Sequence, residues 1–153
     1  MYIFLVWLHS IMRWVVLIAG VGALGTAYSG LFSKRPFSGI DRATGVFFTL
    51  AFTFQVVLGL VLYFISPWGV RALTALGAAG EGRALLIFFG VYHIAMMLVA
   101  LVVAQSGYSR AKRAETSKAA FRRAAVGYTV GLLLVFLAIP WGIRPMWPTV
   151  QPF

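Results

Sequence analysis

The chain has 153 residues, of which 61% are hydrophobic and 10% charged, with a mean hydropathy of +0.93. Soluble domains carry about 25% charged residues, so this composition excludes a solvated globular surface, a disordered chain and most catalysis built on paired carboxylates. Cysteine is absent, which removes disulfides, iron–sulfur clusters and thiolate metal sites and leaves two histidines as almost the whole stock of strong metal ligands. The formal charge of +10 comes from 13 basic and 3 acidic residues. The basic residues lie between long apolar runs, where the positive-inside rule accounts for them, so no nucleic-acid partner is expected.

The length suits one domain, and the pattern predicts an all-α integral-membrane four-helix bundle. A hydrocarbon core about 30 Å thick needs roughly 20 apolar residues in helical form. Four stretches meet this: Tyr2–Tyr28, Thr44–Ser66, Ala84–Ser106 and Ala124–Trp141. The first lacks the basic start and short apolar core of a secretion signal, and reads as a retained span. Ser33-Lys34-Arg35-Pro36 stops it, and Ser38 or Asp41 is positioned to cap the second. Ser66-Pro67-Trp68-Gly69 ends the second span, while Pro140 and Pro145 break up the end of the fourth. The loop after Trp68 suits a short surface helix, and a tail over 142–153 follows the last span.

Loop one (Lys34, Arg35, Arg42) and loop three (Arg110, Lys112, Arg113, Lys118, Arg122, Arg123) hold nine of the thirteen basic residues. Both belong on the cytoplasmic side, which places the two termini and the loop after Trp68 on the periplasmic or outer side. Trp7, Trp68, Trp141 and Trp147 then fall near the outer boundary as an aromatic belt. Ala19, Ala23 and Ala27, with Gly127 and Gly131 four residues apart, supply the small residues that let membrane helices approach closely.

The predicted spans hold three strongly functional candidates, His9, Arg13 and His93, joined by Gln55 as a polar group; no Asp or Glu falls inside them. This argues against a proton-coupled transporter. His9 lies seven residues and His93 nine residues below the outer edge, roughly 10 and 14 Å at 1.5 Å per residue. Two imidazoles at one depth on two helices are what bis-histidine haem ligation in a bundle requires. Gly59 and Gly131 are expected to bring backbone close to a porphyrin plane. Arg13, one turn deeper than His9, needs an acceptor: a haem propionate, a quinone or lipid group, backbone carbonyls, or Gln55 at about the same level. Arg13 and Gln55 are both expected as cofactor contacts. Arg71, Arg83 and Arg144 are the alternative partners for propionates pointing to the surface.

The run Leu8-His9-Ser10-Ile11-Met12-Arg13-Trp14 resembles the opening helix of small bacterial four-helix membrane proteins described as cytochrome b-like, whose pattern is His-Ser, two variable positions, then Arg-Trp. The resemblance continues through Asp41-Arg42, Gln55-Val56-Val57-Leu58-Gly59-Leu60, Leu62-Tyr63-Phe64-Ile65-Ser66-Pro67, His93-Ile94-Ala95-Met96-Met97-Leu98 and Ile139-Pro140-Trp141. Where those proteins commonly carry Glu before the second histidine, this chain has Tyr92. The resemblance implies a b-type haem role in a multi-pass protein of the bacterial inner membrane. Sequence and resemblance together predict an electron-transfer subunit with one bis-histidine haem b, His9 and His93 its ligands. It is expected to work within a larger respiratory or photosynthetic membrane complex, with quinone a candidate partner and no independent enzymatic activity. Two other readings compete: a cofactor-free accessory subunit, and a subunit in which each histidine ligates its own (bacterio)chlorophyll.

Overall fold

A computed structural model describes residues 1–75, 77 and 83–141. The chain is helical, with no strand among the described residues. Four helices are long and apolar enough to cross a membrane: α1 (Tyr2–Ser33), α2 (Gly39–Ile65), α4 (Arg83–Lys112) and α5 (Ser117–Ala138). The short α3 (Val70–Ala75) follows α2, in the region where a surface helix is expected. Trp147, Arg144, Pro145 and the rest of the tail 142–153 lie outside the described residues, as do Leu76 and residues 78–82 of the loop after α3.

The helices run past the apolar stretches at the basic end of the bundle. α1 continues to Ser33, α4 to Lys112, and α5 begins at Ser117. Apolar length sets what the bilayer covers, whereas a helix stops where its backbone finds a cap. Lys34 adopts a left-handed φ of 54° and closes α1. Ser38 caps α2, its backbone N–H donating to Asp41 Oδ2 at 2.8 Å. Thr116 accepts from the Ala119 N–H at the start of α5. At the opposite end α2 stops at Ile65, with Ser66 extended ahead of Pro67, and α5 stops at Ala138, with Ile139 extended ahead of Pro140.

α1 packs against α2 and α5, and α4 packs against the same two helices, so α1 and α4 face each other across the bundle diagonal. Small residues make the close contacts. Ala19, Ala23 and Ala27 are buried along α1. Gly107 of α4 meets Gly127 of α5 so closely that a Cβ on Gly127 would lie 2.5 Å from the Gly107 Cα. Lipid tails are as apolar as leucine, so packing and interhelical hydrogen bonds must supply association. Thr26 meets Thr44 between α1 and α2 (3.2 Å), Gln105 donates to Thr53 between α4 and α2 (3.0 Å), and Tyr28 meets Thr129 between α1 and α5 (3.1 Å).

Outward, the bundle presents Ile18, Val21, Phe47, Leu50, Phe64, Val102, Leu133 and Leu137 to its surroundings. An exposed apolar surface that spans the helices is what a hydrocarbon solvent stabilises and water does not. The two basic loops sit at one end, tied together. The Phe37 N–H donates to Ser117 Oγ at 3.0 Å, and Arg35 forms a bidentate pair with Asp41 (2.7 and 2.6 Å) while lying 4.9 Å over the Phe121 ring. Four helices of this length and an apolar outer surface are consistent with a multi-pass membrane protein.

Candidate functional site

A cleft opens between the helices at the end opposite the basic loops, and His9 of α1 and His93 of α4 both line it. Their ring centroids are 6.4 Å apart with the ring planes at 72°. The pair that depth counting places at one level thus meets across the bundle diagonal. The cleft has a cavity volume of about 150 Å³, within about 1150 Å³ of atom-free space that includes its open mouth. Its walls are apolar, with Val6, Val16, Val56, Met97 and Leu98 among them.

A neighbouring helix holds each histidine, His93 by its ring and His9 by its backbone. His93 Nδ1 lies 2.7 Å from the carbonyl oxygen of Ala138, the last residue of α5. A carbonyl only accepts, so Nδ1 carries the proton and donates, leaving Nε2 as the electron-pair donor of the neutral ring. Carbonyls in a final helical turn lack an intrahelical partner and sit at the negative end of the helix dipole, which makes Ala138 a strong acceptor. On the other side, Gln55 Nε2 donates to the backbone carbonyl of His9 itself at 2.8 Å, joining α2 to α1 at that level. Gly59, one turn along α2, lies against the ring: a Cβ there would come within 3.1 Å of His9 Cε1.

Immediately before His93, the backbone of Phe88–Tyr92 forms a π-turn, and the His93 N–H donates five residues back to the Phe88 carbonyl. Such turns insert one extra residue into an α-helix, shift the phase of the residues beyond them, and recur at functional sites. Here the turn sets the direction from which His93 enters the cleft. Tyr63 of α2 donates to the Gly90 carbonyl inside the turn at 3.1 Å, and Phe88 and Phe89 pack on the His93 ring with centroids at 5.9 and 6.1 Å. Plain α periodicity assigns Phe89, Gly90, Met96, Met97, Ala100 and Ala104 to the His93 face. Of these, Phe89 and Met97 line the cleft, together with Ile94 and Leu98, whereas Ala100 and Ala104 are buried in the core.

Arg13, half-buried, and the buried Gln55 also line the cleft, so four of the six sequence candidates converge there with Gly59 as a fifth. Gly131 does not. A Cβ on Gly131 would lie 3.1 Å from the Ala104 Cβ and 3.3 Å from the Ala100 carbonyl, so its missing side chain serves the contact between α5 and α4 and leaves the cleft to other residues. The expected surface partners Arg71 and Arg83 are exposed. At the mouth, Tyr2 meets the buried Ser66 hydroxyl at 3.2 Å, and the Trp68 N–H donates to the same oxygen at 3.1 Å. Tyr63, Ser66 and the Ala138 carbonyl escape sequence reading. The Ser-Pro step marks only a helix end, and no side-chain pattern announces a terminal carbonyl.

No group of three or more His, Cys, Asp or Glu is gathered anywhere among the described residues. The cleft therefore offers two nitrogen donors, and an ion bound there must bring its remaining ligands with it. Comparison with known proteins finds no matching family model, no matching curated protein and no matching solved structure.

Proposed function

We propose that this protein is a membrane-embedded b-type cytochrome subunit in which His9 and His93 hold the iron of one haem b between α1 and α4. The observation that carries the reading is the spacing of the two rings. Two metal–nitrogen bonds of about 2.0 Å, with roughly 1.1 Å from each nitrogen to its ring centre, add to about 6.2 Å. The observed separation is 6.4 Å. A porphyrin would bring four nitrogens of its own and would take its two remaining donors from His9 and His93, which matches the donor set. The angle between the rings is free to vary, because rotation about the iron–nitrogen axis leaves both bonds unchanged.

A haem held by both histidines would supply one-electron redox chemistry, which favours electron transfer over oxygen chemistry. The chain's own residues do the positioning. The Ala138 carbonyl fixes the His93 tautomer and raises the basicity of Nε2, as an acceptor behind a ligating histidine does. Gln55 ties the His9 backbone to α2, and Gly59 leaves room beside the His9 ring. Arg13 places a cation in the cleft wall for a propionate or a quinone oxygen. The apolar walls exclude water. The protein serves as a subunit of a larger redox complex of the bacterial inner membrane, its basic loops on the cytoplasmic side.

A reduced-minus-oxidised absorption spectrum of the purified protein tests this. The expected result is a Soret and α-band pattern of a six-coordinate b-type haem, lost in both His9→Ala and His93→Ala. Absence of haem bands, or their persistence in His93→Ala, would overturn it. Extraction of a chlorin would favour pigment binding, a reading that needs the two imidazoles to face apart. Unaltered protein levels and folding in His9→Asn and His93→Gln, with no cofactor extracted, would favour an accessory subunit.

A further inference from the structure

At the opposite end of the bundle lies a second groove, of about 540 Å³, between α4 and α5. Its rim carries Arg110, Lys118, Arg122 and Arg123, all exposed. Its walls descend along Val103, Val126 and Val130, and its floor is the bare backbone of the Gly107–Gly127 crossing. We propose that this groove binds one anionic phospholipid of the adjoining leaflet, with the headgroup phosphate among the four cations and an acyl chain along the valine wall.

Charge argues for the headgroup. Among the described residues the one ion pair is Arg35–Asp41. Glu115, exposed in the connecting loop, pairs with none of the four rim cations and leaves them in excess. Backbone contacts hold two of the guanidiniums in place. Arg123 Nη1 donates to the Arg110 carbonyl at 3.1 Å, and Arg110 Nε to the Ser106 carbonyl at 3.2 Å. Each uses one of five N–H donors in doing so. Shape argues for the tail: below the cations the groove is lined by Val103, Val126 and Val130 and by the close Gly107–Gly127 crossing, with no polar side chain among them. The two halves are joined in the order an amphiphile requires, cations at the interface and valines toward the bilayer. A free phosphate would use the rim and leave the valines uncovered. Basic pockets between membrane helices bind acidic lipid headgroups on the same principle. The groove belongs to the basic end alone and shares no residue with the histidine cleft.

Native mass spectrometry tests it, with the full-length protein in neutral detergent offered equal phosphatidylglycerol and phosphatidylcholine. The expected result is one retained phosphatidylglycerol, favoured by ~10-fold or more, and not displaced by glycerol phosphate. Each basic side chain near the headgroup contributes a factor of ~5, so Lys118→Gln with Arg122→Gln should weaken retention roughly 30-fold. Lys34→Gln with Arg42→Gln removes two charges at the same end but outside the groove and should leave retention unchanged. The charge-conserving pair Lys118→Arg with Arg122→Lys should retain the lipid, which separates loss of charge from loss of fold. Equal retention of phosphatidylcholine, full displacement by glycerol phosphate, or an equal loss in the control pair would overturn the proposal.

Discussion

Gly59 gives the sharpest test of the cleft. A Cβ added there would lie 3.1 Å from His9 Cε1 and 3.7 Å from Nδ1. Carbon contacts are comfortable from about 3.5 Å, so alanine requires the imidazole to retreat by roughly 0.4 Å. Metal–ligand distances tolerate about 0.2 Å, so under the proposed ligation that retreat would strain the iron–nitrogen bond or the backbone that carries the ring. Overpacking of this kind costs about 1–3 kcal/mol, or about 5- to 150-fold in an equilibrium constant. Gly59→Ala belongs at the low end of that range, because a side chain can yield. Gly59→Leu belongs at the high end or beyond, because its added carbons enter the ring's own volume. The assay is haem occupancy per polypeptide from the absorption spectrum of each purified variant, with far-UV circular dichroism confirming the helices. A Gly59→Leu protein with full occupancy and an unshifted spectrum would refute the role given to both Gly59 and His9.

Three further substitutions probe the frame around the site. Gly127→Ala puts a Cβ 2.5 Å from the Gly107 Cα, where backbone faces backbone and neither side can rotate away. Unfolding in detergent should show a loss of about 2 kcal/mol, against no loss in Gly22→Ala, where nothing lies within 4 Å. Asp41→Asn breaks a bidentate pair whose carboxylate is 2% exposed and whose guanidinium is 34% exposed. The expected cost is about 2–3 kcal/mol, below the fully buried case because Arg35 reaches solvent, with the first loop becoming more accessible to protease. Gln55→Leu removes the bond to the His9 carbonyl, and thermal unfolding should register a loss of about 0.6–1.7 kcal/mol, the range for interhelical hydrogen bonds in membranes. Wild-type stability in that variant would show that the amide does not hold α1 in place.

How much of the molecule is legible in its sequence differs by feature. The four spans follow from apolar length, and their ends near Ser66 and Pro140 from proline chemistry. The helix ends at Lys112 and Ser117 do not, because helical backbone continues into polar sequence until a cap stops it. The meeting of His9 and His93 follows from depth, since both helices enter from the same end. The fate of Gly131 does not: a glycine in a membrane helix reads alike whether it faces a cofactor or another backbone, and only the position of Ala104 separates the two. Gln105 and Thr53, which bond α4 to α2, sit where a hydropathy profile registers only a dip.

The π-turn at Phe88–Tyr92 divides α4 into two segments that follow different clocks. Arg83–Ile87 keeps one angular frame and His93–Lys112 another, so no single helical wheel drawn for α4 is right along its whole length. Deleting one residue within 88–92 would leave the Phe88 carbonyl four residues from the His93 N–H, so the same bond would close a regular α-turn and both flanking segments would keep their orientation. What would change is the local bulge that brings Gly90 against Ala72, Leu73 and the Tyr63 hydroxyl. This segment is therefore the one place in α4 that can shed a residue without turning its two ends against each other, whereas a deletion in the regular helix on either side would rotate them by about 100°.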